Sequence, residues 1–404
     1  MMNFFFSDDV RRDPYHWYDQ VREACPVLHD PRSGMWMLFD YESVRRAMDD
    51  HETFSSRVHP PTGAAPEWLV FLDPPRHSRL RAIVMRTFTP RAIANLEPRI
   101  RELSRELLDE HAGRGEMELV ADYAGPLPVM VIAEMIGIPL ADRERFTRWS
   151  QAIVNLSYAI AGGAVAAQMI AEHRPVRAEM LEYITGLAEA RRTDPKDDLL
   201  TRLVHADVDG ERLTIEEILG FFQLLLSAAT ETTTNLIDNA VLSFIENPGQ
   251  LALLKADPSL LPGAIEEVVR FRSPGQAMFR EATRDVQLHA RTIPAGAFVL
   301  VMVGSANRDP KRFANANRFD ITRDPNAHIA FGHGIHFCLG AALARLEARV
   351  ALTDLFERLD SIALASDEPW EPRQALHVHG PSRLPIRFTQ AARVRAVSED
   401  SFMR

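Results

Sequence analysis

The feature that most constrains the fold is a predicted helix of about 30 residues whose middle is apolar on nearly every side. Thr214 and Glu217 form a capping-box signature at its start, and Pro248 marks its end. At a rise of 1.5 Å per residue, such a helix is about 45 Å long. Its middle, residues 221–229, reads FFQLLLSAA. Because a helix that is apolar all round must be enclosed by protein, the chain has to build a large core around it.

A polar run, Thr230-Glu231-Thr232-Thr233-Thr234, interrupts this helix in its middle. Threonine is a mediocre helix former, and its hydroxyl can bond to the carbonyl one turn earlier and bend the axis. The run is therefore either a bend or exposed stretch, or a buried carboxylate and hydroxyl that serve chemistry. The residues alone leave both interpretations open.

Helical periodicity dominates from about residue 90 to 360, whereas short β signals lie near the two ends of the chain. We find no repeat, linker or composition shift, so we predict a single domain over residues 1–404, mainly α with small β-sheets. The helical stripes lie at Leu96, Ile100, Leu103 and Leu107 and again after Asp142, Val176 and Asp197; the β segments are 34–39, 286–303 with a turn at 294–296, and 384–388.

Charge and hydropathy exclude several classes of partner. The formal net charge is −10, from 46 basic and 56 acidic residues, which provides no basic field for nucleic acid. The apolar start, residues 1–6, is followed at once by Ser7-Asp8-Asp9 and is too short for a signal peptide. The most apolar segment, 128–138, contains Glu134 and is too short to cross a bilayer. We predict a cytoplasmic protein with no nucleic-acid or membrane partner.

The chain has only two cysteines, Cys25 and Cys338, which excludes a disulfide framework and a Cys-rich zinc site. Cys338 lies in the segment 331–340, which contains three glycines that permit positive φ and close approach of the backbone to a ligand. It also precedes a predicted helix, whose positive dipole end and free N–H groups favour a thiolate. A thiolate there is either a metal ligand or a nucleophile.

Two chemistries remain open on the residues alone. The first is a nucleophile elbow at Cys338, with His377 or His379 and Asp354 as partners. That match is weak, because a histidine stands where the elbow needs a small residue and the chain lacks an alternating strand and helix pattern. The second is a thiolate axial ligand to haem iron, which needs a glycine-lined loop, a nearby aromatic and polar groups for the propionates.

Several segments, in the same order along the chain, resemble the cytochrome P450 superfamily of the soluble bacterial type with separate redox partners. The resemblance extends from residue 13 to residue 386. The matching segments are the haem-ligand signature at Phe331, Gly334, Cys338 and Gly340, the Glu-x-x-Arg helix at Glu267 and Arg270, the oxygen-binding helix centre at 228–232, and the haem-contacting helix at 73–77 with Arg81 and 88–91.

The resemblance implies a cytochrome P450 fold, with the long central helix crossing above haem b (iron protoporphyrin IX). It implies that Cys338 is the iron ligand and that Glu267 and Arg270 are buried and structural. His77 and Arg81 are four residues apart and so share one helix face, which would let both side chains bind the same propionate. The implied haem-contacting residues are Phe331, His77, Arg81, Arg280, His336 and Cys338.

The resemblance also implies a haem-thiolate monooxygenase that uses O2 and a ferredoxin-type donor to hydroxylate or epoxidise a hydrophobic small molecule. Glu231 and Thr232 would deliver protons, and Ala229 stands where the family usually has Gly. A cysteine-dependent hydrolase and a non-catalytic haem-binding scaffold are the alternatives. The expected substrate contacts are Leu225, Ala228, Ala277 and Met278, with Trp68, the loop 57–72, the segment 155–168 and a lid at 159–171. The expected docking surface for the electron donor consists of Arg76, Arg79, Arg86, Arg345 and Arg349.

Overall fold

The long helix predicted from its capping box is present and spans Ile215–Glu246, 32 residues. The side chain of Thr214 accepts a hydrogen bond from the N–H of Glu217 at 3.2 Å, and Glu217 Oε2 accepts one from the N–H of Thr214 at 3.0 Å. The N–H groups of Thr214 and Glu217 therefore both have a hydrogen-bond acceptor. Pro248 opens the next helix, as a residue without an N–H can at a first turn.

The computed structural model describes residues 7–59, 68–86, 88–158, 164–208, 210–375 and 377–391. Within these ranges no helix is both long and apolar enough to cross a membrane. The α-helices are α1 Asp8–Arg12, α2 Tyr15–Ala24, α3 Tyr41–Asp49, α4 Arg76–Met85, α5 Pro90–Ala94, α6 Glu97–His111, α7 Pro126–Ile136, α8 Arg143–Tyr158, α9 Ala164–Thr193, α10 Leu199–His205, α11 Ile215–Glu246, α12 Pro248–Ala256, α13 Leu261–Phe271, α14 Val303–Ala306 and α15 Ala341–Arg358.

The strands are short and form small sheets beside the helices. The largest sheet has the order β1-β2-β10-β7-β3, in which only β2 and β10 run parallel; a second has the order β11-β14-β4, and β5-β6, β8-β9 and β12-β13 are pairs. The strands are β1 Val27–His29, β2 Trp36–Leu38, β3 Phe54–Ser55, β4 Glu116–Glu118, β5 Asp207–Val208, β6 Glu211–Arg212, β7 Met278–Ala282, β8 Val286–Leu288, β9 Arg291–Ile293, β10 Phe298–Val301, β11 Leu359–Leu364, β12 Glu371–Pro372, β13 Pro381–Arg383 and β14 Pro385–Gln390.

Helix α11 is the centre of the packing. It contacts α7, α8, α9, α13 and α15, so neighbours cover it on several sides. Leu219, Leu226, Ile237 and Ala240 are each fully buried and belong to the largest hydrophobic cluster. The prediction of an enclosed central helix in a mainly α protein with small sheets is therefore confirmed.

Glu267 and Arg270 on α13 form a fully buried ion pair, with both side chains 0% exposed. Arg270 Nε and Nη2 donate to the two oxygens of Glu267 at 2.7 and 2.8 Å. Arg270 Nη1 also donates to the carbonyls of Asn307 and Ala316, and Arg323 adds a second cation to Glu267. The pair therefore joins α13 to the segment after α14. The burial expected from the resemblance is confirmed.

Replacing Glu267 by Gln should destabilise the protein by about 3–5 kcal/mol, because the fully buried Arg270 and the partly buried Arg323 lose their counter-charge while side-chain size is kept. The free energy of unfolding is measured by urea titration followed by circular dichroism. The matched control is Asp197→Asn, which removes a carboxylate from an exposed pair with Arg202 and should cost at most about 1 kcal/mol. Equal losses in the two variants would contradict the structural role assigned to Glu267.

Candidate functional site

The cysteine loop is closed by its own backbone. The N–H of Cys338 donates to the carbonyl of Phe331 at 2.7 Å. Gly332 and Gly334 have φ of +76° and +66°, and a Cβ on Gly334 would lie 3.0 Å from the carbonyl oxygen of Met48. These two positions need glycine for their backbone conformation, as the sequence predicted. Helix α15 then begins at Ala341, so Leu339 lies just before it.

The sequence predicted that Cys338 prefers the thiolate form, but the protein without a cofactor favours the thiol. Backbone N–H groups of Gly340 and Ala341 and the charges of Arg81 and Arg345 do lower the pKa of the thiol. Burial acts more strongly in the opposite direction, and the pKa of Cys338 is raised overall. A bound metal ion deprotonates a coordinating thiol outright, so a metal-centred cofactor would reverse this balance.

Four of the predicted haem-contacting residues come together near Cys338. The rings of His77 and His336 lie 4.2 Å apart, and His336 Nε2 lies 2.9 Å from Ser56 Oγ. Arg81 Nη2 donates to the carbonyl of Phe337, the residue before the cysteine, at 2.6 Å. Arg280, on β7, is only 4% exposed. The structure thus brings together residues from α4, β7 and the cysteine loop.

This cluster carries positive charge with little to balance it. Burial lowers the pKa of His77 to about 4 and of His336 to about 2, and the neighbouring arginines lower both further. Burial likewise lowers the pKa of Arg280 to about 10. Both ring nitrogens of His77 are buried and lack a hydrogen-bond partner among the described residues. Asp73 is the carboxylate whose charge acts on the cluster, and it is already bonded to Ser55 and Ser56.

The donor set therefore fits a dianionic ligand. Buried cations and an unpartnered imidazole are costly unless an anion accepts their hydrogen bonds. The two propionates of haem b supply two carboxylates, and a thiol stands in the adjoining loop. The residues present therefore fit this cofactor.

The middle of α11 presents an accessible stripe although the helix is otherwise enclosed. Ala228 is exposed, and Leu224 and Thr232, each four residues away, are partly exposed. Because a spacing of four keeps side chains on one face, the three residues form one accessible stripe along the helix. Thr232 Oγ1 donates to the carbonyl of Ala228 at 2.6 Å, the back-bonding expected of threonine in a helix. Glu231 is 6% exposed, so the carboxylate of the polar run is buried, whereas its chemical role stays a prediction.

The predicted substrate contacts occupy different environments. Leu225 and Ala277 are 8% and 7% exposed, whereas Ala228 lies on the accessible stripe of α11. The methyl carbon of Met278 would be 3.6 Å from a Cβ on Gly332, so Met278 lies against the cysteine loop. The Trp68 indole N–H donates to Gln223 Oε1 on α11 at 3.3 Å. Residues 60–67 of the predicted loop and 159–163 of the predicted lid lie outside the described residues.

The structure does not assemble the partner set of the hydrolase alternative. Asp354 lies 13 residues beyond the start of α15, about 20 Å along the helix axis. It is buried and accepts a hydrogen bond from Ser104 at 2.7 Å. His379 Nε2 faces the carbonyl of Arg12 at 3.1 Å. The acid that a nucleophile elbow requires is therefore committed elsewhere.

Sequence reasoning missed the group that supports Phe331. The guanidinium carbon of Arg345 lies 4.2 Å from the centre of the Phe331 ring. Arg345 Nε and Nη2 donate to the two oxygens of Glu266 at 2.7 and 2.8 Å, and His328 Nε2 lies 3.0 Å from Glu266. Arg345 therefore packs against Phe331, the residue whose carbonyl accepts the hydrogen bond from the Cys338 N–H. Glu266 adjoins the Glu267 motif, and no local pattern signals its partner.

Comparison with known proteins gives a consistent result. The family model described as Cytochrome P450 matches residues 165–383. Putative cytochrome P450 YjiB of Bacillus subtilis is 42% identical over 364 residues, which cover 89% of this chain and 92% of the relative. Cyclomarin C epoxidase CymV of Salinispora arenicola is 39% identical over 390 residues, covering 95% and 98%. The crystal structure of CYP109E1 from Bacillus megaterium in complex with testosterone has a TM-score of 0.85 at 37% identity, covering 93% and 99%.

Replacing Arg280 by Met should speed the release of haem from the holoprotein but should not lower the stability of the apoprotein. Loss of a charge-assisted hydrogen bond should release haem about tenfold faster, measured as transfer to excess apomyoglobin. In the apoprotein the same change relieves repulsion within the cluster, so the urea midpoint should not fall. The control is Arg291→Met, an exposed arginine on β9. Unchanged haem release from the Arg280 variant would contradict the assignment.

Proposed function

The chain belongs to the cytochrome P450 family, a monooxygenase family that binds haem b, and on that premise we propose that it hydroxylates or epoxidises a hydrophobic small molecule. The observation that carries the proposal is the unbalanced cationic cluster beside the cysteine loop. Haem b, when bound, supplies the iron at which O2 is reduced and one oxygen atom is transferred.

We assign the cofactor contacts residue by residue. Cys338 provides the thiolate ligand, and Phe331 fixes the cysteine through the hydrogen bond between its carbonyl and the Cys338 N–H. The donors for the propionates are His77, Arg81, Arg280 and His336. His77 and Arg280 are buried, so a hydrogen bond from either of them to a carboxylate is stronger than on the surface. That residues 1–404 form one domain stays a prediction.

Glu231 and Thr232 handle the protons of the reaction. One turnover consumes O2, two electrons and two protons, and yields the oxygenated product and one water. Thr232 donates its hydroxyl hydrogen to the Ala228 carbonyl, which leaves its oxygen lone pairs to accept a hydrogen bond on the accessible face. A carboxyl and a hydroxyl carried on one helix can act as a proton relay. A haem-binding scaffold without turnover would not need the costly buried carboxylate of Glu231.

The substrate is a hydrophobic molecule of modest size. The lining assigned from the sequence is apolar, and two of its members, Ala228 and Ala277, are small enough to leave room for a rigid ring system. CYP109E1 was crystallised with testosterone, so a steroid is the first probe for this chain. The test is a titration followed by the shift of the haem spin state, with fatty acids, terpenoids and macrolides in parallel. Failure of every class to shift the spectrum would overturn the substrate proposal.

The electron donor is a ferredoxin-type protein that docks near the cysteine loop. The structure limits the positive patch expected there, because most of its arginines already pair with carboxylates. Arg86 is exposed and donates to the backbone carbonyl of Asp207 at 3.1 Å. The paired members are Arg76 with Glu217, Arg79 with Glu211 and Glu217, Arg345 with Glu266, and Arg349 with Glu97.

Replacing Thr232 by Ala should divert electrons from product to hydrogen peroxide, because proton delivery becomes disordered while the fold is kept. We expect product formed per NADH consumed to fall about tenfold or more, with the substrate-induced spin shift unchanged. The matched control is Thr185→Ala, another helical threonine whose hydroxyl bonds to the carbonyl four residues earlier. A Thr232 variant as well coupled as wild type would remove this residue from the mechanism.

Replacing Arg86 by Glu should slow reduction of the ferric enzyme by an acidic ferredoxin, and the loss should shrink as salt is raised. The rate is measured by stopped-flow absorbance at two ionic strengths, and substrate binding should be unaffected. Arg291→Glu, on β9, is the control for a charge reversal elsewhere. A loss independent of salt would contradict an electrostatic docking role for Arg86.

A further inference from the structure

A small pocket outside the site described above lies between the first two helices and the β12-β13 hairpin. It opens to solvent. Its lining includes Arg11, Tyr18, Gln276, Arg373 and Gly380. Two of these residues, Arg373 and Gly380, also touch the buried helix α11. The pocket therefore connects solvent with the same helix that carries Glu231 and Thr232.

Arg373 reaches from this pocket to Asn235 on α11. Its Nε donates to Asn235 Oδ1 at 2.7 Å, and Asn235 is 0% exposed. Because a guanidinium has no acceptor, the amide atom facing it must be the oxygen, and the orientation of the Asn235 amide is thereby fixed. Its Nδ2 points away from Arg373. Nδ2 is buried and has no hydrogen-bond partner among the described residues.

The hairpin is pressed against this amide at Gly380. A Cβ on Gly380 would lie 2.5 Å from Asn235 Oδ1, so only glycine permits the contact. The carbonyl of Gly380 also accepts a hydrogen bond from the N–H of Arg373 at 3.0 Å. Arg373, Gly380 and Asn235 therefore form one contact unit in which neither the hairpin nor the amide can shift alone.

Asn235 lies next to the proton-handling residues on the helix surface. It follows Glu231 by four residues and Thr232 by three, the two spacings that make side chains neighbours on an α-helix. Asp238, three residues further, is fully buried, and both of its oxygens lack a hydrogen-bond partner among the described residues. The charge of Arg373 acts on Asp238 and lowers its pKa, which burial otherwise raises. Arg373 thus interacts with two polar residues, Asn235 and Asp238, on a helix that is otherwise apolar.

We propose that Arg373 and Asn235 are a positioning pair that links the solvent pocket to Glu231 and Thr232 and orders the hydrogen bonds through which protons reach them. The inference rests on the monooxygenase function proposed above. Arg373 itself loses no proton, because a guanidinium stays protonated in proteins. The two protons that each turnover consumes come from solvent, and the Asn235 amide holds the intervening groups in place.

The test compares holoenzyme variants with testosterone as the probe substrate. The set is wild type, Arg373→Ala, Arg373→Lys, Asn235→Leu, the Arg373→Ala and Asn235→Leu double variant, and the control Arg11→Ala. Arg11 lines the same pocket and pairs with Asp8 and Gln374, which both lie outside α11. The readouts are product per O2 consumed, the ratio of rates in H2O and D2O, and the infrared stretch of carbon monoxide on the reduced protein.

We expect Arg373→Ala to lower product per O2 about tenfold, to raise the solvent isotope ratio and to shift the carbon monoxide stretch. Arg373→Lys should recover part of the coupling, because it restores a donor. Asn235→Leu should match Arg373→Ala, and the double variant should lose no more than either, since the two residues act as one unit. Arg11→Ala should behave as wild type.

Two results would overturn the inference while leaving the proposed function standing. One is an Arg373→Ala protein that turns over with wild-type coupling and an unshifted carbon monoxide stretch. The other is additive loss in the double variant, which would show two independent effects. If wild type itself forms no product and consumes no O2 with any member of the substrate panel, the proposed function fails instead. The infrared stretch still reports on the pair in that case, because it needs no turnover.

Discussion

Positive charge gathered around a cysteine loop, with too little negative charge to balance it, is the constraint on which the site depends. His77, Arg81, Arg280 and His336 come from three separate elements of the fold, and the charges of Arg81 and Arg280 lower the pKa of both histidines. In a partly dry site such repulsion is costly, so an anion that lies among the four groups stabilises the arrangement. A cofactor with two carboxylates meets this need, and the nearby thiol supplies the ligand for its metal.

Helix α11 meets two opposed demands. Its enclosure by neighbouring helices requires apolar side chains on every side, and Leu226, Ile237 and Ala240 satisfy this demand. Glu231, Asn235 and Asp238 nevertheless place polar groups in the same buried environment, which costs free energy unless each group is bonded. A helix needed only for stability would be apolar here. The polar stripe, and its contact with Arg373, are best explained by proton handling beside the accessible face at Ala228.

Local patterns in the sequence predicted much of this structure. The capping box at Thr214, the glycines of the cysteine loop and the Glu267–Arg270 spacing act over a few residues, so they are visible in the sequence. The remaining features depend on contacts between distant segments. Arg345 and Glu266 are 79 residues apart, and Arg373 and Asn235 are 138 apart. The raised pKa of Cys338 was missed for a related reason, because burial is a property of the tertiary fold, whereas the helix dipole is local.

The bond between Cys338 and haem iron is the central claim, and the absorption spectrum of the reduced protein under carbon monoxide tests it most directly. Haem held by the Cys338 thiolate would give a strongly red-shifted Soret band under carbon monoxide, and Cys338→Ser should abolish that band even if haem is retained. A purified protein that binds no haem, or whose Soret band lies where a histidine-ligated haem absorbs, would contradict the account.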